Sequence, residues 1–235
     1  MQIDIITAFP NIVSMPLRES IVGRAISGNL VHINTHDLRK WTTDRHHTID
    51  DTPYGGGAGM VYKIEPLYLC LKEIFDKSES DNREIVLTSP RGEVFKQEKA
   101  VKLSLREHII IICGHYKGID QRITSLFPVT EISIGDYVLS GGEIPAVVLV
   151  DAVVRLLPGV LGDIDSALTD SFHDYLLDCD YYTRPETYKG IAVPEVLLSG
   201  DHKKIEDWRL KQREKITSQK RPDLYKNYLK SLKIK

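Results

Sequence analysis

The segment IIIICGHYKGID at residues 109–120 decides the fold of this chain. Four consecutive isoleucines are apolar and β-branched, and a short run of this kind that ends in turn residues predicts a buried strand. The residues from Cys113 onward include two glycines and predict a loop at the end of that strand.

Three further runs predict buried strands, namely IDII at 3–6, IVL at 85–87 and VTEISI at 129–134. The segments between them carry apolar residues at helical spacing, which predicts helices over 64–75, 96–106, 118–126 and 143–156. Because strands alternate with helices along the chain, we expect an α/β fold with a largely parallel sheet.

Pro158 and Gly159 end the last of these predicted helices. We therefore expect the α/β domain to occupy residues 1–160. The polar, irregular stretch at 161–176 predicts a flexible linker. Residues 177–235 predict a second, small helical domain with basic helices at 201–218 and 222–233.

Charge is distributed unevenly along the 235 residues, although the net charge is only −2. From Asp201 onward the chain has 12 Lys and Arg against 5 Asp and Glu, whereas the preceding part has 19 against 28. A basic tail on an acidic body indicates a polyanionic partner, and a solvated helix face is the alternative. The candidate contact residues are Arg209, Lys211, Arg213, Lys220 and Arg221.

Several classes of protein find no support in the sequence. No apolar stretch predicts a membrane span, no signal peptide is recognisable, and the three cysteines fit neither a disulfide framework nor a zinc site. We therefore expect a cytoplasmic protein. The motifs of dinucleotide-binding, P-loop, zinc-protease and serine-hydrolase sites are missing, and no residue pattern predicts a metal site.

Glycine-rich segments follow the predicted strands, namely TSPRG at 88–92, CGHYKGID at 113–120 and SIGDYVLSGGE at 133–143. In open α/β sheets, ligands bind beyond the carboxyl ends of the strands, and glycine lets the backbone approach a ligand closely. The three segments together predict a site for a planar, adenine-sized group, packed by Tyr116, Tyr137 and Leu139. Ordinary turns are the alternative for each segment taken singly.

The segment TIDDTPYGGGAGM at 48–60 has four glycines and predicts a flexible loop with an accessible backbone. Asp50, Asp51 and Tyr54 carry groups that could hydrogen-bond a nucleobase. A surface hairpin without a ligand is the alternative interpretation.

Taken together and in order, these segments resemble the tRNA (guanine-37-N1) methyltransferases of the TrmD type, in the SPOUT superfamily. The resemblance runs from Ile3 to about Tyr225. It is carried by DDTPYGGGAGM, CGHYKGID, SIGDYVLSGGE, DAVVRLLPGVLG, DSF, LLDCDYYTRPE, VPEVLLSGDH and WRLKQ. It implies an α/β body whose C-terminal part forms a trefoil knot that binds S-adenosylmethionine, an obligate homodimer with active sites at the subunit interface, and C-terminal helices that grip tRNA.

The resemblance also implies roles for individual residues. Asp170, in DSF, falls on the general base, and Arg155, in DAVVRLLPG, falls on a catalytic arginine. Lys117 stands where many relatives have a glutamate. The resemblance admits Mg²⁺ as a further cofactor, which no pattern in this sequence supports. The implied cofactor contacts are Ser89, Pro90, Gly114, Tyr116, Ile134, Gly135, Asp136, Tyr137, Val138, Leu139, Gly141 and Pro145.

The implied reaction needs two kinds of assistance. N1 of neutral guanine carries a proton, so a carboxylate such as Asp170 would remove it as the methyl group transfers. The negative charge that develops on O6 would be stabilised by a guanidinium such as Arg155. From sequence alone there are alternative interpretations: Asp170 could cap a helix or be a solvated carboxylate. Arg155 could form an i,i+4 ion pair with Asp151. A SPOUT methyltransferase with another target, and a non-catalytic RNA-binding protein, remain as alternative functions.

Overall fold

The structure is a computed structural model that describes residues 1–161, 171–172 and 174–232. The chain divides into two compact units, Met1–Gly162 and Asp163–Lys235. The predicted domain assignment, including the flexible linker at 161–176, stays a prediction, because residues 162–170 and 173 lie outside the described part.

The first unit is built on a parallel sheet of five strands within the described residues, in the order β2-β1-β6-β5-β7. The strand β6 is inserted between β1 and β5, so the middle of the sheet is formed by segments far apart in sequence. The strands of this sheet are β1 (Gln2–Thr7), β2 (His32–Asp37), β5 (Arg83–Val94), β6 (His108–Cys113) and β7 (Val129–Ser133).

Helices and short elements surround this sheet. The helices of the unit are α1 (Pro10–Ser14), α2 (Ser20–Ser27), α3 (Ile64–Lys77), α4 (Gln97–Ser104), α5 (Ile123–Leu126) and α6 (Glu143–Val154). Short 3-10 helices span Pro16–Arg18 and Leu38–Trp41, and the two-residue strands β3 (Asp50–Asp51) and β4 (Val61–Tyr62) pair antiparallel.

The core lies on both faces of the sheet. All six residues of β6 are buried, and the five that follow His108 alternate between two hydrophobic clusters. One cluster contains Ile109 and Ile111 with apolar residues of α2, α4 and α6, and the other contains Ile110 and Ile112 with residues of α3. The predicted α/β fold with a parallel sheet is therefore confirmed, whereas the trefoil knot stays a prediction.

A polar cluster is buried inside the sheet at β1. Asp4 is 2% exposed, and both of its carboxylate oxygens are bonded to imidazole nitrogens, Oδ1 to His36 Nε2 and Oδ2 to His108 Nε2, each at 2.6 Å. Gln2 and Asn34 donate further hydrogen bonds to the same carboxylate. Burial alone would raise the pKa of Asp4, but these hydrogen bonds outweigh it and hold the pKa well below its usual range.

Three predictions about local structure need correction. The helix predicted over 118–126 covers only Ile123–Leu126, because Gly118 has a positive φ and the Asp120 carboxylate accepts a hydrogen bond from the backbone N–H of Arg122. The strand β2, HINTHD, was not predicted, because its sequence is polar. The segment TSPRG does not end a strand, since β5 continues to Val94.

The second unit contains β8 (Thr187–Tyr188), β9 (Ile191–Ala192), α7 (Glu195–Leu198), α8 (His202–Lys220) and α9 (Pro222–Leu232). The Asp201 side chain caps α8 by accepting a hydrogen bond from the backbone N–H of Lys204. Buried Thr217 on α8 accepts a hydrogen bond from the Leu177 backbone at 2.8 Å, and Tyr228 on α9 donates to Glu214 on α8 at 3.0 Å. Of the helices in the described residues, none has both the length and the apolar character needed to cross a membrane.

Candidate active site

A pocket of about 330 Å³ lies at the carboxyl edge of the sheet, beyond β5, β6 and β7. We call it the edge pocket; its walls come from three segments, residues 87–91, 114–121 and 132–145. Eleven of the twelve cofactor residues implied by the resemblance line it, all except Asp136. They are Ser89, Pro90, Gly114, Tyr116, Ile134, Gly135, Tyr137, Val138, Leu139, Gly141 and Pro145.

Backbone hydrogen bonds hold the three segments together. The N–H of Gly142 donates to the carbonyl of Gly114 at 2.6 Å, and His115 forms an isolated antiparallel bridge with Gly141. The N–H of Gly114 in turn donates to Oγ1 of Thr88 at 3.3 Å. Backbone contacts therefore join the three segments around the pocket, and five of the lining residues are glycines.

The first segment is a bulge within β5. Thr88 and Glu93 both pair with Ile132 of β7, so the four residues between them project from the ladder. A Cβ on Gly92 would overlap the backbone of Glu131 and Ile132, which makes glycine necessary there. Arg91 at the tip donates to Gln121 at 2.7 Å.

The segment after β7 turns sharply at Gly135, whose φ of +146° is a conformation that L side chains rarely adopt. A Cβ at this position would also lie 2.5 Å from the Tyr137 ring. Ser133 fixes the turn, because its hydroxyl donates to the Gly135 carbonyl and accepts from the Gly135 N–H. The turn leaves Tyr137, Val138 and Leu139 exposed beside the pocket.

Tyr116 connects the edge pocket with the predicted substrate residue Asp50. Its φ of +58° is left-handed, and its ring packs edge-on against His115 at 4.6 Å between centroids. Burial, followed by the charge and hydrogen bond of the Asp50 carboxylate, raises the pKa of the Tyr116 hydroxyl. Asp50 is thus brought next to the pocket, whereas Tyr54 is fully exposed in the glycine-rich loop.

The glycine-rich loop contacts the pocket through Lys117. The backbone N–H of Lys117 donates to the carbonyl of Met60 at 2.9 Å, and a Cβ on Gly59 would lie 2.8 Å from Cγ of Lys117. Gly55, Gly56 and Gly57 have positive φ angles and no atom within 4 Å of an added Cβ. The loop therefore has a close contact at Gly59 and open space around its preceding glycines.

Three polar side chains at the pocket were not predicted from sequence: His115 lines the pocket, and Glu143 and Thr7 are buried behind it. Glu143, the first residue of α6, is 2% exposed, and its Oε1 accepts a hydrogen bond from Thr7 at 2.8 Å. His115 Nδ1 lies 3.6 Å from Oε2 of Glu143 and is buried without a hydrogen-bond partner among the described residues. The only signal in the sequence is an acidic residue between the glycines at 141–142 and the apolar helix.

Of the two implied catalytic residues, Arg155 is described by the structure and does not line the edge pocket. Asp170 lies outside the described residues, so its placement stays a prediction. Arg155 follows the last residue of α6, and its backbone N–H donates to the carbonyl of Asp151 at 3.3 Å. Since α6 begins at Glu143 beside the pocket, Arg155 lies roughly 18 Å farther along the helix axis.

The five basic candidates in the second unit have different surroundings. Arg213 is bonded to the Asp174 carboxylate at 2.6 Å and its side chain is only 13% exposed, which indicates a structural contact. The Arg221 guanidinium forms a bidentate ion pair with the Asp223 carboxylate at the surface. Arg209 lies 6.0 Å from the Tyr181 ring centroid, and Lys211 and Lys220 are exposed.

The fold and the pocket define the class: an α/β protein with a pocket at the carboxyl ends of its parallel strands, where open α/β sheets generally bind ligands. The sequence model described as tRNA (Guanine-1)-methyltransferase TrmD matches residues 1–227 of this chain. The chain therefore belongs to the tRNA (guanine-1)-methyltransferase TrmD family, whose members are S-adenosylmethionine-dependent methyltransferases.

Curated relatives agree with this assignment over almost their whole length. A protein of Christiangramia forsetii is 54% identical over 95% of this chain and 98% of its own. Proteins of Flavobacterium johnsoniae and Desulforamulus reducens are 52% and 48% identical, each over 97% of this chain, and over 100% and 89% of their own. All three are named tRNA (guanine-N(1)-)-methyltransferase.

Proposed function

We propose that this protein transfers the methyl group of S-adenosylmethionine to N1 of guanine 37 in the anticodon loop of tRNA. The observation that carries the proposal is the convergence of eleven implied cofactor residues on one edge pocket, in a chain of the TrmD family. We place the reaction in the cytoplasm, where the tRNA substrate is found.

The edge pocket fits an adenosine-bearing methyl donor. Five glycines in its lining let the backbone approach a ligand closely. Tyr116, Tyr137 and Leu139, which are 41–55% exposed, offer apolar groups that a planar base would cover. When bound, S-adenosylmethionine supplies a sulfonium methyl group that is already activated. Among the described residues, no group of three or more His, Cys, Asp or Glu is placed to hold a metal ion.

The residues of this chain then have to position guanine and accept its N1 proton. We propose that Asp170 takes that proton and that Arg155 stabilises the charge on O6, effects that are strong where water is excluded. Asp50, which contacts Tyr116 at the pocket, is suited to hydrogen-bond the guanine edge. A loop nucleotide reaches such a site at little cost, because it is already single-stranded.

We further propose a two-fold homodimer whose partner completes each site. The exposed Ile144 and Val148 lie one turn apart on α6, and Arg155, at 11 and 7 residues from them, falls on the same face of the helix. Arg155 would therefore contact a second copy of the chain that covers this apolar face. This arrangement accounts for the roughly 18 Å between Arg155 and the pocket of its own chain.

The helices from Asp201 onward would hold the phosphate backbone of tRNA, because this part of the chain has 12 Lys and Arg against 5 Asp and Glu. Lys211 and Lys220 are the best candidates, since neither forms an ion pair with a described residue. Arg213 is the weakest of the five, because it is already bonded to Asp174.

The test is methyl transfer from S-adenosylmethionine to an anticodon stem-loop, with the product nucleoside identified by mass spectrometry. We expect 1-methylguanosine at position 37, and no transfer to a matched stem-loop that carries adenosine there. The Asp170→Asn variant should lose about 10²–10⁴ in rate. Methyl on a ribose or another base would indicate a different SPOUT methyltransferase, and RNA binding without transfer would indicate a non-catalytic protein.

A further inference from the structure

A buried carboxylate lies directly behind the edge pocket. Glu143 is 2% exposed, and as the first residue of α6 it lies where the unpaired N–H groups of a helix favour an anion. Oε1 of this carboxylate accepts a hydrogen bond from the Thr7 hydroxyl, which is itself fully buried. The carboxylate is thus held in one orientation beneath the sheet edge.

No lysine or arginine forms an ion pair with this carboxylate within the described part of the chain. Its recorded ion-pair partner there is His115, at 3.6 Å between Nδ1 and Oε2, which is too long for a hydrogen bond. The hydroxyl of Tyr62 is buried nearby without a hydrogen-bond partner among those residues. Burial, followed by the negative charge of Glu143, raises the pKa of Tyr62 strongly.

The carboxylate is separated from the pocket by one layer of backbone. A Cβ placed on Gly141 would overlap both Oε2 of Glu143 and Nδ1 of His115, so the carboxylate oxygen lies immediately beneath Gly141. Gly141, Gly142 and Pro145 all line the pocket, while Glu143 does not. A ligand would therefore meet the field of the carboxylate but make no direct contact with it.

We propose that Glu143 is a positioning residue whose negative charge makes the edge pocket prefer the cationic sulfonium of S-adenosylmethionine over the neutral thioether product. The inference rests on the proposed function. When the methyl group leaves, the sulfur keeps the electron pair of the broken bond and becomes neutral, while the N1 proton of guanine passes to the base. The attraction between Glu143 and the sulfur is then lost, which favours exchange of product for fresh donor.

The test compares the affinities of S-adenosylmethionine and S-adenosylhomocysteine by calorimetry in the wild type and in Glu143→Gln. The measurement is made at about pH 8, where imidazole side chains are generally neutral. The amide can still accept the Thr7 hydrogen bond. We expect the variant to bind S-adenosylmethionine roughly tenfold more weakly and S-adenosylhomocysteine within about twofold of wild type. Equal losses for both ligands, or no loss for either, would overturn the proposal.

Two further measurements keep the test decisive. The double variant Thr7→Val with Glu143→Met removes the hydrogen-bond donor and acceptor together, which costs less stability than leaving one buried group unpaired. It should also abolish the preference for S-adenosylmethionine over S-adenosylhomocysteine. Thr7→Val alone keeps the charge and should keep the preference. If the wild type binds neither ligand, the proposed function fails. If the wild type binds both ligands and the ratio of their affinities is unchanged when Glu143 is replaced, only this inference fails.

Discussion

Replacing Gly142 by alanine should separate the three segments of the edge pocket. Gly142 has a φ of −83°, so alanine meets no backbone strain there and only the space around the new methyl group matters. That Cβ would overlap Oγ1 of Thr88 and lie 2.7 Å from the Gly114 nitrogen and 3.0 Å from Cα of Cys113. The Thr88 side chain can rotate, but the other two neighbours are backbone.

The magnitude follows from these distances. Ordinary van der Waals contact begins at 3.4 Å, so the backbone at Gly114 would have to move by at least about 0.7 Å. Forcing extra volume into a packed interior typically costs about 1–3 kcal/mol of unfolding free energy. The hydrogen bond from Gly142 to Gly114 would lengthen with this movement, and the pocket wall depends on it.

We expect Gly142→Ala to lower the free energy of unfolding by about 1–3 kcal/mol, as measured by denaturant titration. We also expect it to bind S-adenosylmethionine at least tenfold more weakly, as measured by calorimetry. Gly28→Ala is the matched control, because Gly28 ends α2 with the same φ of −83° and its nearest neighbour would lie at 3.3 Å. The control should bind normally. If Gly142→Ala binds within twofold of wild type at unchanged stability, the close approach of these backbones is not what forms the site.

Three further predictions concern other parts of the chain. The depressed pKa of Asp4 means that its contribution to stability is present above the ordinary carboxyl pKa and is lost as pH falls. Asp4→Asn should therefore cost about 2–4 kcal/mol at pH 7 in urea unfolding and less near pH 3. Lys211→Glu with Lys220→Glu should weaken tRNA binding and flatten its log–log salt dependence by about 0.7–0.9 per lost phosphate contact, without affecting donor binding. Asp170→Asn and Gly135→Val chains, each inactive alone, should recover roughly a quarter of wild-type activity when reassembled in equal amounts as mixed dimers; no recovery despite demonstrated mixing would exclude a shared site.

The sequence predicted the central strands because their burial leaves a simple pattern. Four isoleucines in β6 have no competing interpretation when turn residues follow them, and the structure buries the whole strand. It did not predict β2, whose residues HINTHD are polar because two of them, Asn34 and His36, bond the buried Asp4 from the neighbouring strand. That pairing joins residues 30 or more positions apart and has no local signature.

The candidate site was predicted where glycines mark it and missed where long-range packing creates it. Glycines at 114, 135 and 141 indicated backbone close to a ligand, and all three line the edge pocket. The bulge in β5 was predicted as a turn, because only the pairing of Thr88 and Glu93 with the same residue of β7 reveals it. Glu143 gains its surroundings from Thr7, 136 residues away, which no local pattern can show.

Lys117 lies where the resemblance implies a glutamate in many relatives, and the structure shows what it contacts. Its backbone N–H is bonded to Met60, and its aliphatic stem packs where a Cβ on Gly59 would go, so the side chain is directed along the glycine-rich loop. Lys117 also lines the edge pocket, so it lies between that pocket and the glycine-rich loop that carries the predicted substrate residues Asp50 and Tyr54. Glu143, by contrast, is buried behind the pocket and is bonded to Thr7 rather than to the glycine-rich loop.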